Sequence, residues 1–172
     1  RPTKLTSQIR KRYKVPDEPY LMCLSTIEPR KNLQNTIRAF LAVKAARPDL
    51  HAKLLICGKS GWKTDSVFAG IDLDHPDLIF TGFVEDIHLP ALYSGAQALC
   101  YLSYYEGFGL PVLEAMACRT PVIYANNSSL PEVGGGGGIA VAADDLLGIQ
   151  EAMTKILMDQ ELRIDLAKAA KQ

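Results

Sequence analysis

The stretch YYEGFGLPVLEAMACRTPVI, from Tyr104 to Ile123, decides the fold. An apolar, β-prone run, QALCYLS (Gln97–Ser103), precedes it, and a second, PVIYA (Pro121–Ala125), closes it. Between them stand a glycine turn and the short helical pattern LPVLEAMAC. Pro111 suits its first turn, where a missing N–H leaves nothing unsatisfied. Strand, turn, helix, strand is the repeating unit of a parallel α/β sheet. The turn also poses a chemical question. Glu106 and Glu114 bracket Gly107 and Gly109, yet carboxylates repel the phosphates that such turns usually hold.

The same unit recurs on both sides. Further strand candidates are YLMCLST (Tyr20–Thr26), AKLLICG (Ala52–Gly58), LIFTG (Leu78–Gly82) and GIAVA (Gly138–Ala142). The central runs are almost continuously apolar, as strands covered on both faces must be. Helical patterns separate them. In NLQNTIRAFLAVKAA, Leu33, Ile37, Phe40 and Leu41 share one face, and Asn32 is placed as an N-cap. LPALYSGA is a short helix, and the tail from Asp144 to Gln172 reads as two. The expectation is an α/β, doubly wound, Rossmann-like and mostly parallel six-stranded sheet. Such sheets bind ligands outside the carboxyl ends of their strands.

The totals fit one domain. The chain has 172 residues, 48% of them hydrophobic and 22% charged. Lysines and arginines equal aspartates and glutamates at 19 each, so no broad basic footprint invites nucleic acid. Cys23, Cys57, Cys100 and Cys118 lie in apolar runs without metal spacing and read as buried thiols in a reducing compartment. No run approaches membrane-spanning length. The opening RPTKLTSQIR lacks an initiator Met and reads as the middle of a longer protein.

The strand ends carry the chemistry. Gly107 and Gly109 let a ligand approach the backbone, and free N–H groups at the helix start favour an anion. Glu114, about a turn into the helix, can accept hydrogen bonds from a ribose diol, and Glu106 faces whatever lies beyond the phosphate. The bland alternative is a tight turn with Glu114 capping its own helix. Arg30 and Lys31 weigh against it. Two cations at a helix start are mildly unfavourable unless an anion joins them.

STIEPRKNL, GKSGW, FTGFVEDIHLPALYSGA, EGFGLPVLEAMACRTPVI and SSLPEV, in this order, resemble the C-terminal, donor-binding domain of a family 4 retaining glycosyltransferase of the GT-B fold, bacterial mannosyltransferase-like. The resemblance implies a linker segment over residues 1–19 and a nucleotide-sugar binding domain over 20–172, with the N-terminal acceptor domain absent. It implies a hexosyltransferase using a GDP-mannose or UDP-hexose type donor and a glycan or lipid-linked acceptor, without a metal cofactor. It implies a cytoplasmic setting, with peripheral membrane association of the full-length enzyme, in polysaccharide biosynthesis. By the same resemblance, Glu106, Lys31 and Arg30 are catalytic: the glutamate meets the donor sugar and the two cations hold the diphosphate. Donor-binding residues are Gly58, Lys59, Val84, Leu89, Gly107, Phe108, Gly109, Leu110 and Glu114. Val84 meets the base through its backbone, with Leu89 beside it.

The chain departs from the family pattern. Ser25-Thr26 stands where many relatives have Gly-Arg, which removes one phosphate cation. Arg119 replaces a helix-ending glycine, at a cost of about 1 kcal/mol if that residue is left-handed, and so points to a different helix end. The run Gly134–Gly138 is expected to be mobile. Asp72–Asp74, a D-x-D pattern, reads as a solvated loop; His51, His75 and His88 are scattered; and Trp62 packs its loop, with a place at the border of the cleft as the alternative. A competing function is a non-enzymatic nucleotide- or phosphate-binding module on the same fold, including a flavin binder or an interaction domain with a vestigial site.

Overall fold

The computed structural model describes residues 1–59 and 64–170, so Trp62 lies outside the described residues. The chain runs α1 (Ser7–Tyr13), β1 (Tyr20–Leu24), α2 (Leu33–Ala46), β2 (Lys53–Cys57), α3 (Thr64–Val67) and β3 (Leu78–Gly82). It continues through α4 (Leu89–Gly95), β4 (Ala98–Tyr101), α5 (Leu110–Ala117), β5 (Val122–Ala125), α6 (Leu130–Gly134), β6 (Gly138–Val141), α7 (Leu146–Met158) and α8 (Gln160–Ala169). The six strands form one sheet in the order β3-β2-β1-β4-β5-β6. Every pairing is parallel, so the expected "mostly parallel" sheet is wholly so.

Alternation along the strands divides the core into two layers. Leu21, Cys23, Leu54, Ile56 and Cys100 pack against Ile37 and Phe40 of α2 and Ile149 and Met153 of α7. Tyr20, Met22, Leu55, Cys57 and Leu99 face the other way, toward Leu92 and Tyr93 of α4 and Val112 and Ala115 of α5. Both layers are buried, which is why the strands read as unbroken apolar runs. The four cysteines are free and buried, and burial pushes the Cys57 thiol up to about 12.

The first 19 residues carry a helix that docks on this second layer. Thr6 caps α1 by accepting from the Ile9 N–H, and the buried Tyr13 places its hydroxyl 2.8 Å from His88 Nδ1. The five-glycine run, expected as a mobile loop, is instead built into regular structure: it ends α6, forms a 3-10 turn over Gly135–Gly137 and opens β6. Close packing explains Gly134, Gly137 and Gly138, and Gly135 takes a left-handed φ of 44. A Cβ on Gly138 would lie 2.2 Å from the Val122 carbonyl oxygen, and one on Gly134 would lie 2.5 Å from the Tyr124 ring.

Helix α5 ends as a glycine would end it, despite the arginine. Arg119 is left-handed at φ 61. The Thr120 N–H reaches the Ala115 carbonyl at 2.9 Å and the Arg119 N–H reaches Met116 at 2.8 Å, the paired bonds of a Schellman stop. Thr120 Oγ1 then bonds the Tyr93 carbonyl at 2.7 Å, tying the stop to α4. The hydrogen bonds outweigh the strain on Arg119. Arg119→Gly should therefore raise stability by about 1 kcal/mol, or roughly 2–4 °C in Tm. Thermal unfolding checks this; a lower Tm would show that the exposed arginine stabilises the stop.

Candidate functional site at the carboxyl ends of the strands

The strand order reverses between β1 and β4, and a cleft of about 600 Å³ opens at their carboxyl ends. Its base is the continuation of β1. The Ser25 N–H donates to the Cys57 carbonyl at 3.0 Å, and the Ile27 N–H to the Lys59 carbonyl at 3.0 Å. Gly58 makes that approach possible: at φ +148, a Cβ on it would come within 1.7 Å of the Ser25 carbonyl oxygen. Ser25 Oγ is buried here and has no hydrogen-bond partner among the described residues.

Beyond it the chain makes a 3-10 turn over Pro29–Lys31. Asn32 follows at φ 56 and does not cap α2 with its side chain, contrary to the sequence expectation. The buried amide instead donates to the Leu102 carbonyl at 2.9 Å and the Ala143 carbonyl at 2.6 Å, fastening the turn to the ends of β4 and β6. Two outward carbonyls that no strand could satisfy out-competed the cap.

This fastening brings Lys31 to Glu106. Lys31 Nζ lies 2.5 Å from Glu106 Oε1, with side-chain exposures of 11% and 9%. Arg30 Nη1 is 3.5 Å from the same oxygen, while Arg30 Nη2 bonds Glu28 at 2.8 Å. Lys31 also sits 3.4 Å from the Tyr101 hydroxyl. The backbone of Glu106 is held from β5's following loop, its N–H donating to Ser128 Oγ at 3.2 Å and its carbonyl accepting from Ser129 Oγ at 3.4 Å. Burial works to raise the Glu106 carboxyl, but hydrogen bonds from Lys31 and Ser103 and the lysine's charge outweigh it, so the group stays below its ordinary value. Tyr101 moves the other way, raised by burial and then by the charge of Glu106.

Gly109 opens α5 at φ 84, where a Cβ would also strike Leu130 at 2.7 Å. The amides of Phe108, Gly109 and Leu110 have no acceptor among the described residues. Glu114 does not cap this helix. Its Oε2 accepts from the Tyr93 hydroxyl at 2.9 Å, which fixes the carboxylate on the cleft wall. Burial, followed by the charge of Glu114, raises Tyr93 far above a normal phenol, so it remains a donor. Across the cleft, Lys59 Nζ lies 4.4 Å above the exposed Phe83 ring.

The family model for "Glycosyl transferases group 1" matches residues 6–172. The chain belongs to this family. Among curated relatives, the O-antigen chain mannosyltransferase B of Escherichia coli is 33% identical over 154 residues, covering 88% of this chain and 40% of the relative. A GDP-mannose-dependent monoacylated alpha-(1-6)-phosphatidylinositol monomannoside mannosyltransferase of Corynebacterium glutamicum is 31% identical over 165 residues, covering 89% and 42%. The chain thus spans about two fifths of the length of these relatives. Among solved structures, HepE of Anabaena in complex with UDP-glucose superposes with a TM-score of 0.79 at 20% identity, covering 96% of this chain and 46% of that one. That likeness shows the fold, one half of a GT-B glycosyltransferase.

In this group 1 glycosyltransferase domain, Arg30, Lys31, Gly58, Lys59, Val84, Leu89, Leu110 and Glu114 all line the one cleft. Glu106 is reached through Lys31, and Gly107, Phe108 and Gly109 form the turn beside the wall without lining it. Sequence reasoning missed Asn32's fastening role, Tyr93, Tyr101, Ser128 and Ser129. They act across long separations, and only the order of the strands puts them here. Asp72 and Asp74 bond each other through an Asx turn before β3, and no cluster of metal-ligating side chains occurs among the described residues.

The depressed Glu106 carboxyl fixes a pH signature. Stability it contributes is present above the unfolded carboxyl value of about 4.3 and is lost as pH falls through the lower folded value. Glu106→Gln should cost roughly 1–3 kcal/mol at pH 7, and this deficit should shrink toward pH 3. Urea unfolding across that range measures it; a deficit independent of pH would contradict the ion pair's role.

Proposed function

We propose that the cleft binds a nucleoside-diphosphate hexose, of the GDP-mannose or UDP-hexose type, and that this domain is the donor half of a retaining hexosyltransferase. The observation that carries the proposal is the gathering of Arg30, Lys31 and Lys59 with Glu114 around one cleft at the switch point, with Glu106 on the lysine. Cations alone would suit any polyanion. A carboxylate fixed beside them suits a diol, and a nucleoside diphosphate has both. The E. coli and Corynebacterium relatives, named as mannosyltransferases, favour mannose as the sugar. The acceptor, a glycan or lipid-linked saccharide, belongs in this proposal to an N-terminal domain, and the full-length enzyme works in the cytoplasm against the membrane's inner face.

Roles follow from position. Arg30 and Lys31 neutralise the diphosphate and stabilise it as a leaving group, the task a divalent cation performs in other transferases. The free amides of Phe108, Gly109 and Leu110 add donors of fixed direction at the start of α5. Glu114 accepts from the ribose hydroxyls, with Tyr93 holding its second oxygen. Val84 and Leu89 give the base an apolar wall. Glu106 turns to a hydroxyl of the hexose.

Ribose selectivity tests the assignment. The domain should bind GDP or UDP more tightly than the 2′-deoxy analogue, by roughly 10- to 150-fold if one hydrogen bond to a charged group is lost. Glu114→Gln should shrink that preference. Lys31→Ala should weaken both nucleotides about equally, with an effect that fades in salt. Calorimetric titration of each protein with each nucleotide reads this out. An equal ribose preference in wild type and Glu114→Gln would remove Glu114 from the site.

A further inference from the structure

Lys31 already has a partner in the cleft. Its ammonium is 2.5 Å from Glu106, both side chains are almost buried, and Arg30 leans on the same carboxylate at 3.5 Å. A bare diphosphate arriving here meets two opposed effects. It is attracted by Arg30 and Lys31, and it is repelled by Glu106, which already neutralises Lys31, while Arg30 is paired with Glu28 at 2.8 Å. Like charges a few ångströms apart in a partly buried site are costly. The Glu106 backbone is held on both sides by Ser128 and Ser129, so the carboxylate can turn between partners while the loop that carries it stays in place.

We infer that Glu106 makes the cleft discriminate the intact sugar nucleotide from the spent nucleoside diphosphate, and so expels the product once the sugar has left. This rests on the donor-site reading above. With a hexose attached, the terminal phosphate carries one charge fewer, and the sugar offers hydroxyls that donate to Glu106 as it leaves Lys31. The carboxylate then has new donors, and Lys31 is released to the diphosphate. After transfer the hydroxyls are gone and the phosphate has regained its charge. Glu106 again competes for Lys31, and the diphosphate is left against an uncompensated carboxylate. The Tyr101 hydroxyl, 3.4 Å from Lys31, keeps the lysine within reach of both partners. The same pair thus opposes the product and favours the donor.

The test uses GDP, GDP-mannose, UDP and UDP-glucose against the 172-residue chain and its Glu106→Gln variant. Glutamine keeps the shape and a carbonyl acceptor but removes the charge. The variant should bind the diphosphate of the preferred base about tenfold more tightly than wild type does. Its affinity for the matching sugar nucleotide should stay level or fall. The ratio of donor to product affinity therefore drops on both counts. A purely structural role for the ion pair predicts weaker binding of both ligands in parallel, and that result would overturn the inference while leaving the donor site intact. Failure of wild type to bind any of the four would overturn both. The wild type gives a second check that needs no variant: the sugar nucleotide should bind more tightly than its diphosphate, although the diphosphate carries more charge toward Arg30, Lys31 and Lys59. Tighter binding of the bare diphosphate would contradict the inference.

Discussion

A lysine and a glutamate 75 residues apart share one nearly buried hydrogen bond, and the cleft is organised around it. Neither residue could be held there by its own local structure. Lys31 ends a three-residue turn, and Glu106 stands in a loop between exposed tyrosines and glycine. The turn is anchored by the Asn32 amide across β4 and β6, and the loop by two serines after β5. The parallel sheet supplies those anchors, because its order brings the ends of β1, β4, β5 and β6 side by side. Burying a charge pair contributes little net stability once desolvation is counted. Its worth lies in where it leaves the cations.

The fold was legible because its signals are local. Six apolar runs, separated by helical patterns and punctuated by glycine and proline, leave few arrangements other than a doubly wound parallel sheet. The cleft was legible for a related reason: strand ends in such sheets are predictable, and the residues that follow them can be read for charge and size. PRK after β1 and EGFG after β4 stood out on that basis alone. What stayed hidden depends on pairing at a distance. Nothing local distinguishes an Asn32 that caps a helix from one that ties two strands. Nothing local says that Glu114 will meet Tyr93, or that Lys31 and Glu106 will meet each other. The glycine run misled in the opposite sense. Glycine signals freedom when isolated and close packing when backbones approach, and only the contacts with Val122 and Tyr124 separate the two.

Substitutions in this chain sit where the surrounding structure absorbs them. Arg119 takes a backbone conformation suited to glycine, and the Schellman bonds with Thr120's tie to α4 hold it there. Ser25, in the base of the cleft, carries a buried hydroxyl without a hydrogen-bond partner among the described residues, in a region where β1 and β2 approach closely. Ser25 lies in the cleft, whereas Arg119 lies at the opposite end of α5, just before the amino end of β5.

We propose the crevice between β1 and β4 as the nucleotide site. Amide chemical-shift mapping of the isotopically labelled chain on addition of GDP and of UDP addresses it most directly, since it locates binding without presuming a role for any side chain. The largest changes should fall at Arg30–Asn32, Gly58–Lys59, Val84 and Glu106–Glu114, leaving undisturbed the groove that Val43 and Arg47 form with Gln150 and Lys155 between α2 and α7. Changes centred on that groove, or none at saturating nucleotide, would contradict it.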